Sequence, residues 1–255
     1  MGKVITVFNQ KGGVGKTTTN VNLSACLALL GKRVLVLDND PQGNTTSGIG
    51  VEKGGERNIY EALLGIRSPE DSIVGTSIEG LDIIPSDMQL AGAEIEMIEL
   101  ESREQRLKEI VSALRDSYDY ILIDCPPSLG MLTINALVAA DSVLIPIQCE
   151  YYALEGVSQL MSTYQLVKQS INPDLEIQGV LLTMYDGRTN LSIQVQDEVK
   201  KYFGDQVYHS VIPRSIRLAE APSFGMPIIT YDPRSKGAMA YMALAHEFLK
   251  WEENA

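Results

Sequence analysis

A glycine-rich stretch near the start of the chain carries the clearest chemistry. Residues 9–18 read NQKGGVGKTT, directly after an apolar run at 4–8 and directly before apolar residues at helical spacing. A strand, a glycine-rich turn and a helix form the context of a phosphate-binding loop, because backbone N–H groups freed by the glycines converge on an anion. In such a loop Lys16 reaches the β- and γ-phosphates of a nucleotide, and the Thr17 hydroxyl ligates Mg²⁺.

The loop departs from the usual G-x-x-x-x-G-K-[ST] pattern at its first position. Gln10 stands where the first glycine belongs, and Lys11 adds a second lysine inside the loop. This irregularity distinguishes the stretch from an ordinary phosphate loop.

Carboxylates follow two other apolar runs. Asp38 and Asp40 come directly after the run 33–37, and alternate residues at a strand end point the same way, here towards the phosphate loop. They can hold Mg²⁺ through water or position an attacking water, and we expect such a function for Asp40 at least. Asp124 ends the run 120–123, which is the Walker B pattern, and is expected to bind Mg²⁺ through water.

Four arginines of the C-terminal half fall in predicted loops: Arg188, Arg214, Arg217 and Arg234. The formal net charge is −12, so the chain as a whole has no attraction for nucleic acid or for an anionic membrane. In so acidic a chain, clustered arginines indicate a local phosphate-binding patch.

The composition is that of a soluble globular protein, with 45% hydrophobic and 21% charged residues among 255. No apolar run reaches the roughly 18 residues of a membrane span. The first residues enter a predicted strand, which does not suit a secretory signal. The three cysteines lack Cys-x-x-Cys spacing and indicate a reducing cytosol.

The elements that must position these residues alternate along the chain. Apolar runs predict strands at 4–8, 33–37, 81–85, 120–123, 142–147, 177–184 and 207–212. Helices are predicted at 16–30, 58–64, 88–100, 103–117, 133–139, 152–169, 192–203 and 236–251, and an ordered loop at 44–55. Strands that are apolar on both faces and alternate with helices predict a doubly wound, mostly parallel β-sheet flanked by helices, in one α/β domain spanning 1–255. Ligands of such folds bind beyond the carboxyl ends of the strands, where the polar clusters lie.

The motifs resemble those of the deviant Walker A ATPases, specifically the ParA/Soj family of chromosome- and plasmid-partitioning ATPases. The resemblance covers essentially the whole chain. It rests on NQKGGVGKTT at 9–18, DNDPQGN at 38–44, DCPPSLG at 124–130, QCEYYALEG at 148–156 and VIPRSIRLAEAPSFGMPI at 211–228. It implies a P-loop NTPase fold and hydrolysis of ATP with Mg²⁺.

The resemblance also implies individual roles. Lys11 matches the signature lysine that reaches the partner's ATP across a dimer interface, and Gly12 matches the glycine packed at that interface. Asp40 matches the aspartate that positions the hydrolytic water, and Asp124 the switch aspartate near the metal. The implied nucleotide contacts are Lys11, Gly12, Gly13, Val14, Gly15, Lys16, Thr17, Thr18, Met184, Pro213 and Arg214. The implied catalytic residues are Lys11, Lys16, Asp40 and Asp124, the metal site is Thr17, Asp40 and Asp124, and the DNA contacts are Arg188 and Arg217.

The implied function is an ATP-gated switch. ATP bound between two chains buries charge that a lysine from each partner neutralises, so ATP favours a homodimer and hydrolysis dissolves it. The dimer is expected to bind double-stranded DNA without sequence specificity. A ParB-type centromere-binding protein is expected to stimulate slow hydrolysis, which implies a cytoplasmic, nucleoid-associated protein with no membrane partner.

Several alternatives share parts of this pattern. A MinD-like membrane-cycling ATPase needs a basic amphipathic C-terminal helix, whereas residues 246–255 are acidic. An iron–sulfur protein needs cysteines that converge at a dimer interface, and Cys125 has no evident partner. A ligase that activates a carboxylate with ATP needs a substrate pocket that the sequence does not reveal. A binding module with an inactive nucleotide site conflicts with the intact Lys16, Thr17, Asp40 and Asp124.

Overall fold

The computed structural model describes residues 1–150 and 153–254. Within these residues seven strands form one sheet: β1 (Lys3–Val7), β2 (Val34–Asp38), β3 (Val74–Gly75), β4 (Leu81–Ile84), β5 (Tyr120–Asp124), β6 (Ser142–Gln148) and β7 (Glu176–Thr183). Their order across the sheet is β3-β4-β2-β5-β1-β6-β7, and every neighbouring pair except β3–β4 is parallel. The prediction of a mostly parallel, doubly wound sheet is confirmed.

Helices connect the strands and cover both faces of the sheet. They are α1 (Lys16–Leu29), α2 (Asn44–Ile49), α3 (Ile59–Leu63), α4 (Leu90–Glu96), α5 (Arg106–Leu114), α6 (Met131–Ala139), α7 (Ala153–Ser170), α8 (Asn190–Phe203), α9 (Ile216–Glu220), α10 (Ile228–Tyr231) and α11 (Lys236–Asn254). None of the helices in the described ranges is both long enough and apolar enough to cross a membrane.

Successive residues along each strand enter two different apolar cores. Val4 and Leu35 belong to the core under α3–α8, whereas Ile5 and Val36 belong to the core under α1, α2 and α9–α11. Because side chains alternate across a strand, strands that are apolar on both faces require helices on each side. The chain provides those helices in the crossovers between its parallel strands.

The segment predicted as an ordered loop at 44–55 contains helix α2. Glycines in the left-handed region bound this helix, with φ of 58° at Gly43 and 89° at Gly50. The Thr and Ser residues, which suggest a loop in the sequence, lie inside helix α2, and their hydroxyls are available as hydrogen-bond donors. One of them, Thr46, directs both its N–H and its hydroxyl at Asp38.

The predicted strand at 207–212 is wrong. This segment meets β7 only at isolated points, through Tyr208 N–H to Val180 O and Ile212 N–H to Leu182 O. Between these points the N–H groups of His209 and Ser210 donate to the Glu247 carboxylate of α11. A side chain therefore satisfies backbone donors that a strand would have directed at its neighbour.

The remaining boundaries agree to within a few residues. Helix α1 ends at Leu29, and Gly31, with φ of 82°, donates its N–H to Ala28 O, as predicted for its stop. The helix predicted from 152 begins in the structure at Ala153, and Tyr151 and Tyr152 lie outside the described residues.

Candidate functional site

The loop between β1 and α1 has the backbone that anion binding requires. Gly13 and Gly15 adopt φ of 75° and 95°, which strain any residue with a side chain. A Cβ added at Gly12 or Gly13 would meet no atom of the described residues within 4 Å, and both glycines are exposed. The hydroxyl of Thr183 at the end of β7 donates to Val14 O at 2.8 Å and ties the loop to the sheet.

The two lysines of the loop lie in different surroundings. Lys16 is 7% exposed, and its ammonium donates to Lys11 O at 3.3 Å. Lys11 is half-buried, and its own ammonium forms no ion pair with the side chains of residues 1–150 and 156–253. Among these same side chains no carboxylate bonds directly to either ammonium, so both can turn to phosphate oxygens.

Asp124 lies fully buried at the carboxyl end of β5, among hydroxyl and amide donors. Its Oδ2 accepts from Thr17 at 2.8 Å and from Thr45 at 2.7 Å, and its Oδ1 accepts from Asn20 at 3.0 Å. Burial raises the pKa of the Asp124 carboxyl, hydrogen bonds from Thr45 and Thr17 lower it in part, and the Asp40 charge raises it again. A direct hydrogen bond thus joins Thr17 and Asp124, two of the three predicted metal-site residues.

Asp38 and Asp40 have separate environments, contrary to the expectation that both face the loop. Asp38 is fully buried beside Asp124, its partner in the register of β2 and β5. Thr46 donates to Asp38 Oδ2 through its N–H at 2.7 Å and its hydroxyl at 2.6 Å. Burial, followed by the charge of Asp124, raises the pKa of Asp38.

Asp40 is half-buried, and its carboxylate accepts only from Gln42 N–H, at 2.9 Å, among the contacts of the described residues. Sequence reasoning identified Asp40 but missed Thr45 and Thr46. The hydroxyls are present in the sequence, but only the fold of α2 directs two neighbouring threonines at two different strands.

These residues fit a magnesium ion whose coordination is completed by water and phosphate. Mg²⁺ prefers oxygen ligands and keeps several of its waters. Thr17 and Asp124 place two oxygens together, and Asp40 is close enough to shift the pKa of Asp124. In the described part of the chain no three His, Cys, Asp or Glu side chains form a self-contained metal site.

A cavity of about 220 Å³ adjoins the phosphate loop and brings the other predicted nucleotide contacts together. Its walls are Gly15, Thr18, Thr183, Met184, Ile212, Pro213, Arg214, Ser215, Leu218, Ala219 and Tyr241. Met184 has φ of 51°, an uncommon conformation for a residue with a side chain, and such strain is often found at ligand sites. Arg214 reaches Glu150 at 3.0 Å. The size and apolar walls suit a flat heterocycle such as a nucleotide base.

The two predicted DNA contacts are exposed and paired with carboxylates. Arg188 is 90% exposed and binds Asp186 with two nitrogens, which lowers the pKa of Asp186 to about 2. Arg217 pairs with Glu220 at 3.0 Å and Asp232 at 3.6 Å. Exposed ion pairs of this kind are weak, so phosphate can compete for both guanidinium groups.

The three cysteines lie in the apolar cores. Cys26, Cys125 and Cys149 are buried and unpaired, and burial raises the pKa of each thiol. Inert thiols of this kind are packing residues.

A family model described as an AAA domain matches residues 2–177. The sporulation initiation inhibitor protein Soj of Bacillus subtilis is 63% identical over 248 residues, covering 97% of this chain and 98% of that protein. The chromosome partitioning protein ParA of Myxococcus xanthus is 53% identical over 251 residues, covering 98% and 89%.

Solved structures show the same fold. A Mycobacterium smegmatis protein described as cobyrinic acid a,c-diamide synthase, with bound ADP and magnesium, is 39% identical with a TM-score of 0.87, covering 100% of this chain and 97% of that chain. The septum site-determining protein MinD of Pyrococcus horikoshii, complexed with Mg-ADP, is 29% identical with a TM-score of 0.83, covering 99% and 98%. Identity over nearly the full length with Soj and ParA, together with the shared sheet and phosphate loop, shows that the chain belongs to the ParA/Soj family of P-loop ATPases.

Proposed function

We propose that this chain is an ATP-dependent dimerising switch for chromosome or plasmid partitioning. One observation carries the proposal: among the side chains of residues 1–150 and 156–253 the Lys11 ammonium has no carboxylate partner, and a Cβ added at the neighbouring Gly12 would meet no described atom within 4 Å. Lys16 already serves the phosphates within one chain, so a second uncompensated cation suits phosphates held by a second copy.

In this proposal the site residues of one chain have different roles. Lys16 turns from Lys11 O to the β- and γ-phosphates, while Thr17 and Asp124 hold Mg²⁺ together with water. Asp40 keeps most of its carboxylate free and orients the attacking water. Met184, Pro213 and Arg214 surround the adenine in the adjoining cavity.

Two chains complete the site when Lys11 of each reaches the other's nucleotide and the two Gly12 positions pack at close range. Such a dimer is favoured only while the γ-phosphate is present, so hydrolysis opens it. Arg188 and Arg217 of both chains then contact the phosphates of one DNA duplex without reading its sequence. A ParB-type partner stimulates hydrolysis, and the protein is nucleoid-associated in the cytoplasm.

The MinD-like alternative is disfavoured by the way α11 packs. Phe248 is fully buried and contacts the Tyr120 ring edge-to-face, and Trp251 stacks on Tyr208 with ring centroids 4.2 Å apart. Glu252 pairs with Lys3 at 2.8 Å. The apolar side of this helix already belongs to the core, so it is not available to enter a membrane interface.

DNA retention measured with ATP, ADP and no nucleotide, across a salt series, tests the proposal. Retention is expected with ATP alone. Two arginines from each of two chains neutralise about four phosphates, so affinity should fall roughly 100-fold between 50 and 200 mM salt. Retention that ignores the nucleotide, or a flat salt dependence, contradicts the switch and favours the membrane-cycling or ligase alternatives.

The double variant Arg188→Ala with Arg217→Ala is expected to lose DNA retention by at least about 30-fold while its ATP-dependent dimer persists, because each lost phosphate contact weakens binding in the same direction. Filter binding and size-exclusion chromatography measure the two properties. The matched control is Arg33→Ala with Arg103→Ala, which removes the same charge from two other surface ion pairs. If both double variants weaken DNA binding equally, net charge rather than these positions accounts for it.

A further inference from the structure

Asn9, the residue before the altered position of the phosphate loop, has both ends of its amide engaged. It follows β1 and is 9% exposed. Its Nδ2 donates to Pro146 O of β6 at 2.8 Å, and its Oδ1 accepts from Lys11 N–H at 3.0 Å. One buried side chain thus connects the neighbouring strand to the backbone of the loop.

The first of these bonds extends the sheet beyond its backbone ladder. The ladder between β1 and β6 runs to Val7 and Leu144, and Phe8 N–H still donates to Leu144 O. The next carbonyl of β6 on that side, Pro146 O, receives the Asn9 amide in place of a backbone N–H. The chain is therefore free to leave the sheet at Asn9 without leaving that buried carbonyl unpaired.

The second bond fixes the backbone from which Lys11 projects. Asn9 holds the peptide group between Gln10 and Lys11, and the following carbonyl, Lys11 O, accepts the Lys16 ammonium at 3.3 Å. A side chain that both donates and accepts at this length is an asparagine; aspartate accepts only, and alanine does neither.

We propose that Asn9 is a positioning residue that presets Lys11 for its contact with the nucleotide of a second chain. The inference rests on the proposed function, because it assigns Lys11 that contact. Lys16 and Thr17 come directly after a separate turn that contains Gly13 and Gly15. We therefore expect Asn9 to affect the contact between chains more than the binding of nucleotide within one chain.

The test uses the full chain carrying Asp40→Ala, so that hydrolysis does not obscure assembly. Dimer dissociation constants with ATP come from analytical ultracentrifugation, and ATP affinity comes from a fluorescent ATP analogue at protein concentrations that keep the chain monomeric. Asn9→Ala is expected to weaken the dimer by at least about 10-fold and ATP binding by less than about 3-fold. Asn9→Asp loses the donor to Pro146 O and places a carboxylate beside that carbonyl, so it is expected to weaken the dimer at least as much as Asn9→Ala.

A buried asparagine far from the site provides the control for stability. Asn172 donates to Leu137 O and Ala140 O at 2.9 and 2.8 Å, beside the opposite ends of the strands, so Asn172→Ala should lower stability without weakening the dimer. The inference is overturned if Asn9→Ala or Asn9→Asp dimerises like the Asp40→Ala parent, or if Asn9→Ala weakens ATP binding within one chain as much as it weakens the dimer. A parent that itself fails to dimerise with ATP overturns the proposed function, and the inference with it.

Discussion

The Asp40→Ala variant is expected to bind ATP, to form a persistent dimer and to lose hydrolysis by at least about 100-fold. In the structure the Asp40 carboxylate accepts one local hydrogen bond, from Gln42 N–H, and so its remaining acceptor sites can orient water. Removing a group that orients the attacking water raises the barrier without removing phosphate contacts. Phosphate release measured beside size-exclusion in ATP reports both properties.

Asp40→Asn separates the charge from the shape of the loop. Asparagine keeps an oxygen for Gln42 N–H and so preserves the turn, but it lacks the second acceptor oxygen and the charge with which the carboxylate orients water. Hydrolysis should therefore be lost in both variants. If Asp40→Asn hydrolyses ATP at the parent rate, the role of Asp40 is to shape the loop rather than to activate water. A monomeric Asp40→Ala protein in ATP would contradict the dimer model.

Lys16→Met is expected to reduce ATP affinity by at least about 100-fold. The Lys16 ammonium is buried, and among the described residues its hydrogen-bond partner is one neutral carbonyl at 3.3 Å. A buried cation compensated only by this bond and by the nearby Asp124 charge costs folding free energy, and approaching phosphate oxygens offset that cost. Methionine keeps most of the aliphatic volume, so the unliganded variant should be as stable as the parent or more stable.

Thermal unfolding with and without Mg-ATP measures both parts of this prediction. The parent should gain stability on adding nucleotide, because a ligand that binds only the folded state shifts unfolding by mass action. The variant should show no gain. Retained ATP affinity in a well-folded Lys16→Met protein would mean that the lysine does not hold the phosphates.

The sequence predicts most of the fold because its signals are local. The buried strands are short apolar runs, and helix α1 begins and ends at glycines that the sequence marks plainly. The prediction of a strand at 207–212 is wrong because the N–H groups of His209 and Ser210 donate to Glu247, which lies 38 and 37 residues further along the chain. Helix α2 was missed because Thr and Ser favour turns unless an acceptor lies in reach, and that acceptor, Asp38, belongs to another element.

The candidate site likewise has residues that the sequence predicts and contacts that only the fold creates. The phosphate loop, Asp40 and Asp124 are contiguous motifs and were predicted by position. The hydrogen bond from Thr45 to Asp124 joins residues 79 positions apart, and no spacing rule reveals it. The same holds for Asn9, whose importance depends on where Pro146 O lies after folding.

The cavity beside the phosphate loop is lined by segments that are synthesised at different times. Its phosphate side is held by Pro146 and Thr183, which are synthesised later than the loop, and its base side needs Met184, Pro213, Leu218 and finally Tyr241 of the last helix. A nascent chain that lacks this helix cannot enclose the base, even if its phosphate loop has already formed. The cavity that we propose for the base is therefore complete only after α11 has been synthesised.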